Sequence, residues 1–390
     1  MRRVYLDHAA TTPLDPQVFE AMLPYLKEFY GNASSLHTMG RKARFAVEES
    51  RETVADLLGA EPGEIVFTSG GTESNNTAIK GGAKKSGGAV LTSSAEHEAV
   101  LRPAERMGED GRGLVLLDPG DSGAPEPSAI AERLDDGDIG FVSIMQGNNE
   151  LGTLSDIATI ASCCRQRGVI FHTDAVQTAG YGLLRVDEAD VDLASLSAHK
   201  MYGPKGVGAL FVRGGVDVEP LLDGGAQERR RRGGTENVAA IVGMTRALTL
   251  SIESAPERRE RAAAMRDRLH RGLVELIGPR MIVNTPINEV PLMPHVLNVA
   301  FPPLDGEPLD GEMLLLNLDV EGVLASAGSA CTSGALEPSH VLTAIGLDPA
   351  TASTGVRLSV GKDTTEDDID YVVDVVDRVI RRMTREKVGA

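Results

Sequence analysis

Two short segments carry the side chains with the most distinctive chemistry. Residues 191–208 place the amine of Lys200 at the end of an apolar strand, where it could form a Schiff base with an aldehyde cofactor. Residues 325–334 place the thiol of Cys331 among small residues, and the thiolate is the attacking form of cysteine. An amine that builds an electron sink and a thiol that attacks sulfur together suggest the removal of sulfur from cysteine.

The strands before Lys200 and Asp174 are expected to end at one edge of a sheet. Residues 168–173 run into Asp174 and Gln177, and residues 191–197 run into His199 and Lys200. Ligands of open α/β sheets bind beyond the carboxyl ends of the strands. A carboxylate beside an amine suits pyridoxal phosphate, whose pyridine nitrogen needs an anionic partner. Taken alone, Lys200 would more often be a surface lysine, and Asp174 could equally well cap a helix. Their joint placement at strand ends favours a cofactor site instead.

A glycine turn between a strand and a helix is a candidate phosphate site. Residues 67–76 read Phe-Thr-Ser-Gly-Gly-Thr-Glu-Ser-Asn-Asn, with Gly71 and Thr72 where the helix is expected to begin. The free N–H groups and the dipole of a helix N-terminus attract anions. The alternative is an ordinary capped helix, with Thr72 or Ser69 as the cap.

The order of the predicted elements indicates an α/β fold with a mostly parallel central sheet. Between residues 61 and 213, short apolar strands alternate with helical patterns, which places helices on both faces of the sheet. The predicted strands are residues 64–68, 89–92, 113–117, 139–145, 168–173, 191–197 and 208–212. The predicted helices in this region are residues 73–80, 98–107, 128–134 and 157–167. Beyond residue 254 we expect a long amphipathic helix, fewer strands and a last helix over residues 366–385.

Length and composition favour two domains in an ordinary globular protein. A chain of 390 residues exceeds the size at which single cores stop growing. We expect a large cofactor-binding domain over residues 15–255, and a small α+β domain formed by residues 1–14 and 256–390 that carries Cys331.

Charge and cysteine content exclude several classes of function. A net charge of −18 argues against direct nucleic-acid binding. The run Arg229–Arg232 is strongly basic, and two readings of it stay open: a solvated loop, or a segment beside Thr235 that helps to hold a dimer or the cofactor phosphate. No apolar run approaches the roughly 18–20 residues of a membrane span, and no secretory signal is evident. Three cysteines, of which Cys163 and Cys164 are read as core or incidental, suit a reducing compartment, so we expect the cytoplasm.

Several separate motifs, in one order along the chain, resemble those of the cysteine desulfurases. These enzymes are a pyridoxal-phosphate-dependent branch of the class V aminotransferase-like proteins, with the fold type I architecture of such transferases. The motifs cover residues 5–13, 31–37, 95–97, 148–152, 234–237 and 356–361. The resemblance implies that Lys200 bonds to the cofactor aldehyde, Asp174 pairs with the pyridine nitrogen, and Gln177 and Asn149 lie near the phenolic oxygen. It also implies that His97 stacks on the cofactor ring and moves a proton.

The resemblance also implies the remaining ligands. Thr235 of the second subunit of a homodimer would bind the phosphate, and Arg357, with Asn149, would bind the substrate carboxylate. Cys331 would accept sulfur from L-cysteine as a persulfide, with alanine as the other product. The phosphate ligands within one subunit would be Gly71, Thr72, Ser197 and His199.

The expected partner is a sulfur-acceptor protein such as an iron–sulfur scaffold. Cys331 would then be a transient ligand of the nascent cluster, and no resident metal is expected. Three alternatives remain at this point: an aminotransferase, a selenocysteine lyase, and an inert scaffold that binds sulfur-transfer partners. An aminotransferase has no need of Cys331, and an inert scaffold has no need of Lys200.

Overall fold

A seven-stranded sheet forms the centre of the fold in the computed structural model, which describes residues 2–303, 307–328 and 338–388. The strands of the protein, in chain order, are β1 (Val4–Tyr5), β2 (Ile65–Thr68), β3 (Ala89–Ser93), β4 (Leu114–Leu117), β5 (Ile139–Ser143), β6 (Ile170–Asp174), β7 (Leu193–Ser197), β8 (Gly208–Val212), β9 (Ile282–Val283), β10 (Val296–Ala300), β11 (Val323–Leu324) and β12 (Val356–Ser359). The central sheet has the order β2-β8-β7-β6-β5-β3-β4. Strands β4, β3, β5, β6 and β7 are parallel neighbours, whereas β8 is antiparallel to both β7 and β2.

Helices cover both faces of this sheet, as the sequence predicts. The helices are α1 (Pro16–Lys27), α2 (Thr38–Leu58), α3 (Gly71–Asn76), α4 (Ala83–Ser86), α5 (Glu98–Met107), α6 (Pro127–Asp136), α7 (Ile157–Arg165), α8 (Val186–Ala189), α9 (Val238–Glu253), α10 (Ala255–Ile277), α11 (Gly311–Val320), α12 (His340–Ala344), α13 (Pro349–Ala352) and α14 (Glu366–Val388). Successive side chains of a strand point to opposite faces. Thus Ile65 and Phe67 belong to the core beneath α2 and α9, and Val66 belongs to the core beneath α5.

A second core joins the two ends of the chain. Val4 and Leu6 pack with apolar residues of α10, α14, β10 and β12. Strand β1 pairs in parallel with β11, and β10 lies between β12 and β9 in an antiparallel sheet. The N-terminal segment is thereby held beside residues that follow it by more than 300 positions. The proposed division into two domains at residues 14 and 255 stays a prediction.

One predicted strand and one predicted helix near the cavity differ from the observed elements. The strand expected over residues 139–145 stops at Ser143, because the backbone N–H of Met145 donates to the carboxylate of Glu96 at 2.7 Å. The helix expected over residues 73–80 begins at Gly71 and gives way after Asn76 to a wider π-helical turn, Thr77–Gly82.

Residues 2–303, 307–328 and 338–388 hold no group of three or more metal-ligating side chains that could bind an ion. Within those same ranges, no single helix is long and apolar enough to cross a bilayer. In those ranges one bent pair of helices passes this test, by length and composition only: Val238–Glu253 and Ala255–Arg280, whose axes differ in direction by 75°.

Candidate active site

A cavity of about 250 Å³ lies beyond the carboxyl ends of β6 and β7. It brings together most of the side chains that the sequence singled out. The predicted site residues that line it are Gly71, Thr72, His97, Asn149, Asp174, Gln177, Ser197, His199 and Lys200. The convergence follows from the parallel pairing of β6 with β7, which ends both strands at the same edge of the sheet.

Lys200 follows β7 in the short turn Ala198–Lys200, and its amine is held by the N-terminal segment. The Nζ atom donates to the backbone oxygens of Ala9 at 2.6 Å and Ala10 at 2.8 Å. Burial, assisted by the positive charge of Arg357, lowers the pKa of Lys200 from 10.5 to about 8. A substantial share of the amine is therefore neutral near physiological pH, which is the form that attacks an aldehyde.

Asp174 ends β6 and is only 8% exposed. Its Oδ2 accepts a hydrogen bond of 2.6 Å from Nδ2 of Asn75, and its Oδ1 accepts one of 2.9 Å from the backbone N–H of Val176. Both contacts hold the carboxylate in one orientation. Asn75 is a site residue that the sequence analysis missed: it lies on α3, 1% exposed, and lines the same cavity.

Gln177 and His97 are fixed by backbone contacts. Nε2 of Gln177 donates to the oxygen of Ala9 at 2.9 Å, the same oxygen that Lys200 contacts. Nδ1 of His97 accepts the backbone N–H of Ala99 at 3.0 Å and so caps α5. Desolvation lowers the pKa of His97, and the neighbouring Asp174 opposes that change. The ring is therefore mostly neutral at pH 7, with Nε2 free to exchange a proton.

The part of the cavity beside Ser197 and Gly71 has hydrogen-bond donors that suit a phosphate. Oγ of Ser197 is buried and has no hydrogen-bond partner in the part of the chain that the structure describes. Gly71 begins α3, and a Cβ there would lie 2.7 Å from Cγ2 of Val176, so only glycine lets the backbone fit this close. Backbone N–H groups at such a helix start, beside a free hydroxyl, suit an anion. This end of the site fits the phosphate of pyridoxal phosphate.

His199 lies beside Ser197 in the same cavity. Its Nδ1 lies 3.2 Å from Oγ1 of Thr11. Burial lowers the pKa of His199 to about 4, and the positive charges of Lys200 and Lys205 act in the same direction. The imidazole is thus neutral at pH 7 and contributes hydrogen bonds rather than charge.

Arg357 lies on β12, just behind the cavity rather than in its wall. Its Nη1 donates to the backbone oxygen of Asn149 at 3.0 Å, and its Nη2 donates to Asp7 at 2.9 Å and to Ser326 at 3.0 Å. Its Nε is buried with no partner among the described residues. The guanidinium therefore keeps one unused donor beside Asn149, which itself lines the cavity.

The remaining two predicted site residues are Thr235 and Cys331. Thr235 is exposed and does not line it, so its assignment to the second subunit stays a prediction. Cys331 lies outside the described residues. Glu150 lies close to described residues before and after the segment that contains Cys331. Oγ of Ser339 donates to Oε2 of Glu150 at 2.6 Å, and a Cβ added to Gly328 would lie only 2.7 Å from that oxygen.

Glu96 is, after Asn75, the second residue near the site that the sequence analysis missed. It is fully buried, its Oε1 accepts the N–H of Met145, and its Oε2 has no partner in the described part of the chain. Burial raises the pKa of Glu96 well above its usual range, and the charge of Asp174 adds to the effect. The signal for it was its place in the Ala-Glu-His motif, directly before His97.

Comparison with known proteins identifies the family. The model of the aminotransferase class-V family matches residues 4–372. The chain belongs to that family. It is 45% identical over 385 residues to a protein of Dictyoglomus turgidum named cysteine desulfurase IscS, covering 98% of this chain and 95% of that one.

Solved structures agree with this result. A protein described as NifS-like superposes with a TM-score of 0.88 and 35% identity, over 97% of this chain and 99% of the other. The structure of SspA in complex with cysteine gives a TM-score of 0.77 and 36% identity, over 91% and 98%. These matches confirm the predicted fold type I architecture and pyridoxal phosphate as the cofactor.

Proposed function

We propose that this chain is a cysteine desulfurase, which converts L-cysteine to L-alanine and leaves a persulfide on Cys331. The observation that carries the proposal is the convergence of Lys200, Asp174 and the unpartnered hydroxyl of Ser197 on one cavity. The relatives named cysteine desulfurase support the same activity over nearly the whole chain.

Pyridoxal phosphate, when bound, supplies an electron sink that weakens bonds at the substrate's α and β carbons. Three side chains would orient it and move protons. The Asp174 carboxylate, held by Asn75 and Val176, would pair with the pyridine nitrogen. The Lys200 amine would take and return a proton at the α-carbon, and the neutral His97 imidazole would exchange a second one.

Arg357 and Asn149 would bind the substrate carboxylate. The free Nε of Arg357 is a charge-assisted donor, and its Nη1 already contacts the backbone of Asn149. The relative SspA was solved in complex with cysteine, which supports L-cysteine as the ligand of this site. The hydrogen bond from Nη2 to Asp7 would hold the guanidinium in one orientation while the substrate binds.

Cys331 would accept the sulfur. The Cβ–S bond of cysteine would break and an S–S bond would form on Cys331. The electron pair of the broken bond would stay on Cβ, which takes up one of the two thiol protons to become the methyl group of alanine, while the other proton stays on the enzyme persulfide. Glu150 supports this assignment for two reasons. Ser339, which follows the segment that contains Cys331, donates to its carboxylate, and Gly328, which precedes that segment, lies too close to the carboxylate for any larger residue. Glu150 also directly follows Asn149 of the cavity wall.

A homodimer is the proposed assembly. Large apolar side chains are exposed on α1, on α2 and between them, with Leu36 at 82%, Tyr30 at 77% and Phe45 at 70% exposure. Several large apolar side chains exposed within one segment of the chain favour a protein interface there. A second subunit would then supply Thr235 to the phosphate. A cytoplasmic acceptor protein such as an iron–sulfur scaffold would receive the sulfur, with Cys331 as a transient cluster ligand.

The decisive experiment measures sulfide and alanine release from L-cysteine by the wild type, Lys200→Ala and Cys331→Ala. We expect both variants to lose turnover, and Cys331→Ala to keep the cysteine-induced change in cofactor absorbance. An aminotransferase would stay active without Cys331, and a selenocysteine lyase would retain activity on selenocysteine in that variant. Robust turnover of cysteine by both variants would refute the proposal, and a wild type without cofactor absorbance would favour an inert scaffold.

A further inference from the structure

The arginine run Arg229–Arg232 begins within a backbone turn of unusual conformation. Glu228, Arg229 and Arg230 have φ angles of +46°, +57° and +66°, all in the left-handed region. Each such non-glycine residue costs about 1 kcal/mol or more, so three in succession persist only when the surrounding structure holds them.

A buried ion pair holds the turn. Glu228 is 5% exposed and accepts two hydrogen bonds from Arg51 of α2, at 2.8 and 2.9 Å. Oε2 of Glu228 also accepts the backbone N–H of Phe67 at 3.0 Å, and Nη1 of Arg51 donates to the oxygen of Ile65 at 2.8 Å. The pair therefore fixes the left-handed turn against the backbone of β2.

Strand β2 leads directly into the phosphate turn, which we define as residues 69–72. On the other side of the left-handed turn, Arg232 pairs with Glu73 at 2.9 Å. The second oxygen of Glu73 accepts the backbone N–H of Ser69 at 2.8 Å. Two ion pairs from one run of sequence thus hold the strand before the phosphate turn and the residue directly after it.

We propose that the Arg51–Glu228 and Arg232–Glu73 pairs position the phosphate turn for the cofactor. The proposal rests on pyridoxal phosphate as the ligand of the cavity. None of the four residues lines the cavity of about 250 Å³, so they act through the backbone of residues 69–72 and not by touching the cofactor ring. Loss of one partner leaves a buried charge uncompensated and releases the strained turn.

The test compares pyridoxal phosphate with pyridoxal, which carries a hydroxyl group in place of the phosphate. Cofactor-free full-length protein is titrated with each compound, and binding is followed by absorbance. For Glu228→Gln we expect the dissociation constant for pyridoxal phosphate to rise roughly tenfold, the effect of one lost charge-assisted hydrogen bond. The constant for pyridoxal should stay within about twofold, because Lys200 and Asp174 are unchanged.

Two further variants complete the design. Arg232→Ala removes the more accessible ion pair and should weaken phosphate-dependent binding at least threefold or so, even if Glu228→Gln fails to fold. Arg268→Ala, which removes a bidentate pair with Asp370 that is remote from the cavity, should leave both constants unchanged. An equal loss for both compounds, or no loss for either, overturns the proposal. A wild type that binds neither compound refutes the proposed function instead.

Discussion

Lys200 should destabilise the cofactor-free protein at neutral pH. Its amine is largely buried, and its pKa falls from 10.5 to about 8. Because one pKa unit corresponds to about 1.4 kcal/mol, that difference amounts to roughly 3 kcal/mol of folding free energy. Below pH 8 both the folded and the unfolded chain carry the charge, so the full cost is present. Between pH 8 and 10.5 the folded protein loses the proton first, and its stability rises with pH.

The assay compares cofactor-free wild type with Lys200→Met, whose side chain has similar length and no charge. Urea denaturation at pH 7, 8, 9, 10 and 10.5 gives the free energy of unfolding of each protein. We expect the wild type to gain about 3 kcal/mol relative to the variant across this range. Tyrosine ionisation and other titrations affect both proteins alike and cancel in the difference. A difference that does not change with pH would show that the amine is as well solvated in the folded protein as in the unfolded chain, and would refute the reasoning.

Three substitutions test the other contacts of the site. Asn75→Ala removes the donor to Asp174 and should lower the rate of alanine formation about tenfold and shift the pH titration of cofactor absorbance, as measured by spectrophotometry. Glu150→Ala removes the acceptor of Ser339 and should slow sulfide release about tenfold without abolishing the cysteine-induced absorbance change, whereas Glu150→Gln, which keeps an acceptor oxygen, should retain most of the activity. Arg357→Lys keeps the charge but loses the planar fork, so steady-state kinetics should show a KM for cysteine raised about tenfold with unchanged cofactor binding. Equal losses in Glu150→Ala and Glu150→Gln, or wild-type behaviour of the other two variants, would contradict these assignments.

The sequence predicts the sheet and most of the cavity because both depend on local signals. Apolar strands alternate with helices, and parallel strands end at a common edge, so Asp174 and Lys200 had to lie near each other. Asn75 and Glu96 could not be found in this way. Their importance comes from partners at Asp174 and Met145, 99 and 49 positions away. No periodicity within α3 or before α5 reveals which polar side chain turns toward the sheet.

The position of the Lys200 amine also depends on a distant contact, with the N-terminal segment, that the sequence does not reveal. The backbone oxygens of Ala9 and Ala10 reach Lys200 from about 190 positions earlier in the chain, a contact that no motif predicts. These oxygens accept from a neutral or a charged amine, so they orient Nζ without fixing its proton. Burial then lowers the pKa, and the amine can lose its proton near neutral pH while remaining in position. The orientation and the proton affinity of the amine are therefore set by different parts of the molecule. The backbone oxygens of residues 9 and 10 determine where the amine lies, and burial determines the pH at which it loses its proton and becomes reactive.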